Sequence, residues 1–181
     1  MEKITIAYLQ GCLGDATYNR LHKTHRISQN NLEWLEKIKK LLYGLGSKAW
    51  IYKEGKTRNV YVLETTSKLL SMRFDPDQLA SQDERKAYVR GYFDAEGGTS
   101  RSDKVRFYLQ FAEKNKNRVE KVRGLLESLG INCGAIHIPS VTKDPQYWRF
   151  YVKADCYDRF ISVIGSWHPR KQKLFSQRVK I

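Results

Sequence analysis

The sequence lacks three features that would place the chain in other classes of protein. Its 181 residues include three cysteines, Cys12, Cys133 and Cys156, and none of them forms a CxxC pair. An odd and scattered set predicts small core residues in a reducing compartment, and it argues against a disulfide framework or a zinc site. No apolar run approaches the roughly 18 residues that a membrane span requires. The four histidines show no HxH or HxxxH spacing, so we predict none of them as a metal ligand.

Acidic residues are also in short supply. The chain has 33 Lys and Arg against 19 Asp and Glu, a formal net charge of +14, and both halves carry the excess. A field of this sign attracts polyanions, and phosphate contacts supply most nonspecific DNA affinity. An anionic membrane is an alternative partner, but Tyr and Trp interleaved with the cations favour nucleic acid. Because no signal peptide is recognisable, we expect a soluble intracellular protein, of a prokaryotic cytoplasm or alternatively of an organelle.

An internal repeat organises the chain. EKIKKLLYGLG at 36–46 and EKVRGLLESLG at 120–130 align without gaps, and six of the eleven positions are identical. In both segments the apolar residues have helical spacing. Gly46 and Gly130 stand where each helix would end, because glycine adopts the left-handed conformation that follows a helix C-terminus. A matched pair of amphipathic helices indicates a duplicated unit.

The repeat extends beyond these helices and predicts the fold. Strand-like stretches follow each helix, at 49–52 and 59–63 in the first copy and at 132–138 and 148–153 in the second, and hairpin-like regions precede them at 17–29 and 99–111. We therefore predict an α+β protein of two pseudo-symmetric αββαββα repeats. The first repeat would span 1–75, a linker 76–83, and the second repeat 84–181. Asp75-Pro76-Asp77 marks the joint because it breaks regular structure.

Two acidic residues occupy equivalent places in the repeat. Asp15 ends the apolar segment AYLQGCLGD, and Glu96 ends YVRGYFDAE. The helix dipole disfavours a carboxylate at a helix C-terminus, so another group should compensate, and a divalent cation would do so. Side by side, two such helix ends would offer two carboxylates and backbone carbonyls, the hard oxygen ligands that suit Mg²⁺. Such a centre can activate water for phosphodiester hydrolysis.

These motifs resemble those of a known family. VRGYFDAEGG at 89–98 is similar to the second LAGLIDADG motif of bacterial and archaeal homing endonucleases, and LQGCLGD at 9–15 resembles the looser first motif. The resemblance implies that the motif helices form the interface between two halves with saddle-shaped antiparallel sheets that bind DNA. It implies that Asp15 and Glu96 ligate the catalytic metals, assisted by the backbone carbonyls of Gly14 and Ala95.

The resemblance has departures in the first copy. Counted back from Asp15, the third motif position is Gln10, where the family has a small residue, so a slight rotation of the helix would bring Gly11 into that place. Ala16 replaces the glycine that follows the first acid. The family commonly has a basic residue at the start of the central helix: Lys114 fits in the second copy, but Asn30 stands there in the first. The two sites are therefore expected to be asymmetric.

The resemblance implies a function. We expect a site-specific double-strand DNA endonuclease of the intron-encoded type that uses Mg²⁺, with Mn²⁺ as a substitute, and Asp15, Glu96 and Lys114 as catalytic residues. The fused repeat should act as a monomer, with an internal pseudo-dimer in place of a partner chain. An intron RNA maturase or a DNA-binding member without cleavage activity is the alternative.

Alternating strand patterns predict the DNA-binding surface. In the stretch 104–111 apolar residues alternate with Lys104, Arg106, Tyr108 and Gln110, so that one face would meet the core and the other solvent. Cations and amides on a solvent face suit phosphates and base edges. The four tryptophans are expected to anchor the core, because duplex DNA leaves its bases stacked. The other residues predicted to bind DNA are Arg20, Arg26, Gln29, Asn59, Tyr61, Arg101, Arg149, Tyr151 and Lys153.

Overall fold

The computed structural model describes residues 1–102 and 104–178. The first half contains two helices and four strands: α1 (Glu2–Gly11), β1 (Ala16–Asn19), β2 (Thr24–Gln29), α2 (Leu32–Gly44), β3 (Ala49–Lys53) and β4 (Tyr61–Thr65). The second half contains α3 (Gln82–Glu96), β5 (Gly98–Thr99), β6 (Leu109–Glu113), α4 (Lys116–Ser128), β7 (Trp148–Tyr151), α5 (Tyr157–Val163) and α6 (Pro169–Arg178). Short 3-10 turns lie at Cys12–Asp15, Pro76–Gln78 and Ala154–Cys156.

Each half has its own antiparallel sheet. The first sheet has four strands in the order β1-β2-β4-β3, and the second has three in the order β5-β6-β7. A helix, a hairpin and a central helix recur in both halves, so the predicted α+β fold with two repeats is confirmed. Of the helices in the described part of the chain, none is long and apolar enough to cross a membrane.

The two halves meet where α1 crosses α3. A Cβ atom on Gly11 would overlap the backbone carbonyl oxygen of Tyr88, and a Cβ atom on Gly91 would overlap that of Tyr8. The contact is reciprocal, since each tyrosine lies three residues before the glycine of its own helix. The expectation that Gly11 takes the close-packing place is therefore confirmed. Gln10 turns away instead, and its side chain binds the backbone of Leu69 and Ser71.

The two central helices begin and end in the same way. Asn31 and Asn115 accept hydrogen bonds from the third backbone N–H of α2 and α4, at 2.8 and 3.1 Å, as helix N-caps do. Gly46 and Gly130 have φ of 70° and 72°. Their N–H groups, and those of the residues after them, bond to carbonyls of the last helical turn. The helix ends predicted from the repeat are confirmed.

Two predicted strands differ in the second half. The stretch 104–111 forms a strand only from Leu109 onward, and Val105 is 52% exposed where alternation had placed it in the core. The stretch 132–138 makes only two isolated bridges to residues of the β7 side, through Cys133 and His137. Period-two alternation marks residues that could share a face, but a strand forms only where another strand supplies its hydrogen bonds.

The third helix of each predicted repeat also differs between the halves. In the first half, residues 66–81 contain only the 3-10 turn Pro76–Gln78. In the second half, α5 and α6 together cover the sheet, with Phe160 and Phe175 packed on Phe93 of α3. The composition of the basic segment 169–181 fits either a helix that contacts phosphates or a solvated tail. The segment is helical to Arg178, and its last three residues lie outside the described part.

The glycine contact yields a stability prediction with an internal control. Gly91→Ala would force a methyl group into the backbone of α1, so we expect it to lower the free energy of unfolding by about 3–5 kcal/mol. Gly124→Ala in α4 meets nothing within 4 Å and should instead raise stability by about 0.5–1 kcal/mol through helix propensity. Urea unfolding measures both. Equal effects of the two changes would contradict the close helix contact.

Candidate functional site

The structure brings the two predicted carboxylates together at the centre of the molecule. Glu96 is the last residue of α3, and Asp15 ends the 3-10 turn that follows α1. A Cβ atom on Gly14 would lie 2.8 Å from Cγ of Glu96, so the chain beside Asp15 passes directly over the Glu96 side chain. Burial, and then the charges of Asp15 and Glu113, raise the pKa of Glu96 to about 7. Two carboxylates therefore share one partly desolvated space.

A tightened helix compensates for a missing residue in the first motif. Glu96 follows its contact glycine, Gly91, by five residues, but Asp15 follows Gly11 by only four. The Cys12–Asp15 segment is a 3-10 turn. Four 3-10 steps advance a chain by about 8 Å and about 480°, and five α-helical steps by about 7.5 Å and about 500°. The 3-10 turn thus delivers Asp15 to the place where a full-length motif would put it.

Asp15 lies at the open side of the site. Its side chain is exposed on one side, and partial burial on the other raises the pKa of its carboxyl group. Gln29, at the end of β2, donates a long hydrogen bond of 3.4 Å from Nε2 to Oδ2 of Asp15. Gln29 had been predicted as a DNA-binding residue, and the structure places it at the edge of the carboxylate pair. Its neutral amide adds no charge there.

Glu96 has a more crowded and more charged environment. One helical turn before it, Tyr92 donates a 2.6 Å hydrogen bond from its hydroxyl to Oε2 of Glu113. Arg118 donates a 3.3 Å hydrogen bond from Nη1 to Oε1 of Glu113, and the two side chains are only 17% and 13% exposed. The sequence analysis missed Glu113. The available signal was its place at the end of β6, which matches that of Gln29 at the end of β2.

A buried lysine closes the C-terminal end of α3. Lys171 of α6 is 3% exposed, and its ammonium donates hydrogen bonds to the backbone carbonyls of Phe93 and Asp94, the second at 3.1 Å. Burial lowers its pKa to about 7, although the charge of Asp94 opposes this shift. Lys171 therefore supplies part of the positive charge that offsets the dipole at the end of α3. The basic composition of this segment gives no sign that Lys171 is buried.

Asp94 fixes the α3 end to three other elements. Its carboxylate accepts hydrogen bonds from the Tyr8 hydroxyl at 2.8 Å, from the backbone N–H of Trp167 at 2.9 Å, and from the Ser166 hydroxyl. Burial raises the pKa of Asp94, and these hydrogen bonds oppose the shift. Trp34 in turn donates to the Tyr8 hydroxyl at 2.9 Å. This network ties α1, α2 and the segment before α6 to the helix that carries Glu96.

The donor set at the centre fits a divalent cation. The carboxylates of Asp15 and Glu96 are hard oxygen ligands, and burial is the main cause that raises the pKa of each. No group of three or more His, Cys, Asp or Glu residues arranged for a metal occurs in residues 1–102 and 104–178. A cation held here would thus bind two carboxylates, and backbone carbonyls, water or phosphate would supply its remaining ligands.

The open face of the first sheet carries an arginine, paired with a glutamate, and two aromatic rings. On β2, β3 and β4 this face presents Arg26, Tyr52 and Glu64, joined by a 2.8 Å ion pair between Arg26 and Glu64 and a 3.0 Å hydrogen bond from Arg26 to the Tyr52 hydroxyl. Trp50 is 41% exposed on the same face, opposite Glu64. Neither Tyr52 nor Trp50 was among the residues predicted to bind DNA. Trp50 was left out because the tryptophans were expected to anchor the core.

The predicted surface residue Tyr61 lies elsewhere. Alternation along β4 puts Tyr61 on the same face as Leu63, and its side chain packs against the core. Its placement on the DNA-binding face was wrong, because the strand phase of the first copy could not be set without the register of β4 against its neighbours. Arg20 and Asn59 are exposed in loops, outside the strands.

The corresponding face of the second sheet is smaller. Gln110 of β6 pairs with Tyr151 of β7, and Arg149 donates a 3.3 Å hydrogen bond to the Tyr151 hydroxyl. Tyr108 precedes the strand and packs edge-on against Tyr151. The remaining predicted residues are exposed outside regular strands: Arg101, Lys104, Arg106, Lys114 and Lys153.

The carboxylate pair yields a prediction about pH and stability. A raised pKa means that the folded protein binds more protons than the unfolded chain between the ordinary value of 4.5 and about 7. The contribution of Glu96 to stability is therefore present below pH 4.5 and is lost as the pH rises through about 7. At about pH 8 without divalent metal, Glu96→Gln should raise the free energy of unfolding by about 2 kcal/mol.

The control for this prediction is Glu127→Gln, which removes an exposed carboxylate of α4. It should change stability by less than about 0.5 kcal/mol at any pH. Thermal unfolding of both variants at about pH 5 and about pH 8, in buffer with a chelator, makes the comparison. A Glu96→Gln variant that is less stable than the parent at the higher pH would show that Glu96 is not under repulsion.

Known proteins share this architecture. The profile of the family described as LAGLIDADG-like domain matches residues 6–75 and 83–165. No curated protein sequence matches the chain. Among solved structures, I-DmoI in complex with DNA and Mn is 21% identical with a TM-score of 0.68, over 91% of this chain and 98% of that one.

Two further structures extend the comparison. I-DmoI in complex with DNA and Ca gives a TM-score of 0.69 at 21% identity, over 97% of this chain and 98% of that one. Full-length DUF199/WhiA from Thermatoga maritima gives a TM-score of 0.72 at 16% identity, over 100% of this chain and 62% of that one. At these identities the structures show a shared fold. The family profile covers both repeats and most of the sequence, so the chain belongs to the LAGLIDADG family.

Proposed function

We propose that this chain is a site-specific endonuclease of the intron-encoded type, which hydrolyses one phosphodiester bond in each strand of double-stranded DNA with divalent metal. The observation that carries the proposal is the convergence of Asp15 and Glu96, one from each repeat. The backbone at Gly14, next to Asp15, passes directly over the Glu96 side chain. Membership of the family and the net charge of +14 support a nucleic-acid substrate. The solved structures of I-DmoI with DNA supply a relative with the same fold.

In this mechanism the chain holds and orients the reacting groups. Asp15 and Glu96 would hold Mg²⁺, with Mn²⁺ as a substitute, and the backbone carbonyls of Gly14 and Ala95 lie at the same helix ends. A bound divalent ion supplies charge stabilisation at the phosphate and lowers the pKa of water. Gln29 lies beside Asp15 and is placed to orient a water molecule. Lys114 follows Glu113 at the start of α4, where its ammonium can approach a phosphate.

The choice of cation follows from the ligand chemistry. Carboxylate and carbonyl oxygens suit Mg²⁺, which keeps several waters and often binds through one or two carboxylates with substrate phosphates. Structures of I-DmoI with DNA include Mn and Ca. Because one chain carries both Asp15 and Glu96, the site is complete without a second copy, and we propose that the protein acts as a monomer.

A second function is DNA binding without cleavage. The first motif favours it, since its spacing from glycine to acid is one residue shorter than in the second motif and Ala16 replaces the glycine that the family has there. The structure of DUF199/WhiA matches the fold over 100% of this chain, and one fold can serve more than one function. Maturase activity on intron RNA is the remaining alternative. Incubation with a randomised duplex library in Mg²⁺, followed by sequencing of cut ends, separates nuclease from binding protein.

The nuclease proposal makes a prediction for the two acids. Asp15→Asn and Glu96→Gln keep the size of each side chain but remove the anionic oxygen ligand. Each change should lower the rate of Mg²⁺-dependent cleavage of the selected target by at least about 100-fold, because metal ligands supply several kcal/mol of transition-state stabilisation. Sequence-specific DNA binding in Ca²⁺ should persist, since Ca²⁺ accepts irregular oxygen sites.

Glu127→Gln serves as the matched control, because it removes a carboxylate on the exposed side of α4. It should leave cleavage within about twofold of the parent. A double variant Asp15→Asn with Glu96→Gln that still cuts the target with the parent's Mg²⁺ dependence would end the assignment of the active site. Loss of binding together with cleavage would point to a folding defect, which circular dichroism detects.

The sheet faces make a separate prediction. Arg149→Ala removes a cation from the open face of the second sheet, where Gln110 and Tyr151 accompany it. We expect binding to the target to weaken by about 1–3 kcal/mol, with relaxed specificity at neighbouring base pairs if the arginine reads a base. Arg123→Ala on α4 is the control. Unchanged affinity and salt dependence for Arg149→Ala would mean that this face does not meet DNA.

A further inference from the structure

The two carboxylates have unequal neighbours at equivalent positions. Gln29 ends β2 two residues before the Asn31 cap of α2, and Glu113 ends β6 two residues before the Asn115 cap of α4. The repeat thus puts a neutral amide next to Asp15 and an acid near Glu96. The amide contacts its carboxylate, at 3.4 Å. The acid, Glu113, is instead bound by Tyr92 and Arg118.

Glu113 is held in one orientation from both sides. Tyr92 binds Oε2 at 2.6 Å, and Arg118 binds Oε1 at 3.3 Å. Arg118 is itself fixed by a 3.4 Å hydrogen bond to the backbone carbonyl of Met72, in the segment between β4 and α3. Tyr92 and Glu96 are one turn apart on α3 and face Gly14 together. The charge of Glu113 therefore stands at a fixed distance from the carboxylate of Glu96.

We propose that Glu113 and Arg118 form a charge pair that sets the cation affinity of the Glu96 half-site and makes it differ from the Asp15 half-site. Glu113 acts here as a positioning residue, because the hydrogen bonds from Tyr92 and Arg118 hold its carboxylate in place. The inference deepens the proposed function and rests on it for the role of Glu96. The second repeat would thus have a charge pair, Glu113 and Arg118, where the first repeat has the neutral Gln29.

The signs of the expected effects follow from electrostatics. Glu113→Gln removes a negative charge and leaves Arg118 unpaired beside the site, so a divalent cation at Glu96 should bind more weakly. Arg118→Gln removes the positive charge and leaves Glu113 unpaired, so the cation should bind more tightly. The double variant restores neutrality and should return towards the parent. A pair that only braces the fold would shift cation affinity in the same direction when either partner is lost.

The test measures Mn²⁺ binding to the full chain without DNA, by electron paramagnetic resonance at about pH 8, above the pKa of about 7 for Glu96. Asp15→Asn and Glu96→Gln first identify which part of the binding belongs to each half-site. We expect Glu113→Gln to raise, and Arg118→Gln to lower, the Kd of the Glu96 half-site by on the order of tenfold. Arg123→Gln and Glu127→Gln, a paired cation and acid on the same helix, are the matched controls and should shift Kd less than twofold.

The outcomes separate this inference from the nuclease proposal. Opposite shifts confined to the Glu96 half-site support the charge pair, even in a chain that cuts no DNA, in which case only the nuclease proposal fails. Shifts of one sign in both single variants, or no Mn²⁺ binding that depends on Glu96, overturn the charge pair. In a chain that cuts its target, strand-specific labels add a second readout: the Mg²⁺ concentration for half-maximal nicking should move for one strand and stay fixed for the other.

Discussion

The close approach of α1 and α3 at Gly11 and Gly91 is the contact on which the rest of the molecule depends. With no side chain at either position, the backbones touch, and each glycine lies against the carbonyl of a tyrosine on the other helix. Because the helices then run on side by side for little more than one turn, their ends arrive together. Distance between the two repeats, and so between Asp15 and Glu96, is set by backbone contact and not by adaptable side chains.

The carboxylates of Asp15 and Glu96 repel each other, and the surrounding protein holds the two helix ends together against this repulsion. Two acids at adjacent helix ends repel each other and the carbonyls around them. The Asp94 network and the buried ammonium of Lys171 secure the end of α3 against this repulsion. The end of α1 has no lysine of this kind among the described residues, and a 3-10 turn with Gln29 beside it takes its place. The two halves reach similar positions by different means.

Sequence reasoning reached the parts of this structure that depend on local pattern. The central helices and their C-terminal ends follow from a repeat of apolar spacing and terminal glycine, and the two acids follow from their equivalent places in it. What it missed depends on partners distant in sequence. Tyr61 turned inward because pairing with β2 and β3 fixed its phase. The burial of Lys171 was missed, because the residues next to it in sequence do not indicate the distant backbone carbonyls that it binds.

The shorter glycine-to-acid spacing of the first motif shows how two different local patterns can reach similar positions. A one-residue deletion in an α-helix rotates everything beyond it by about 100° and would swing Asp15 away from Glu96. Winding the last four residues more tightly restores nearly all of the rotation and the rise, at the expense of poorer hydrogen-bond geometry in the 3-10 turn. Since the contact glycines stay in register, the tighter winding is confined to the segment that ends in Asp15. The position of the Asp15 carboxylate therefore depends on a less regular backbone than that of Glu96. This difference adds to the unequal neighbours of the two acids, the neutral Gln29 and the acidic Glu113.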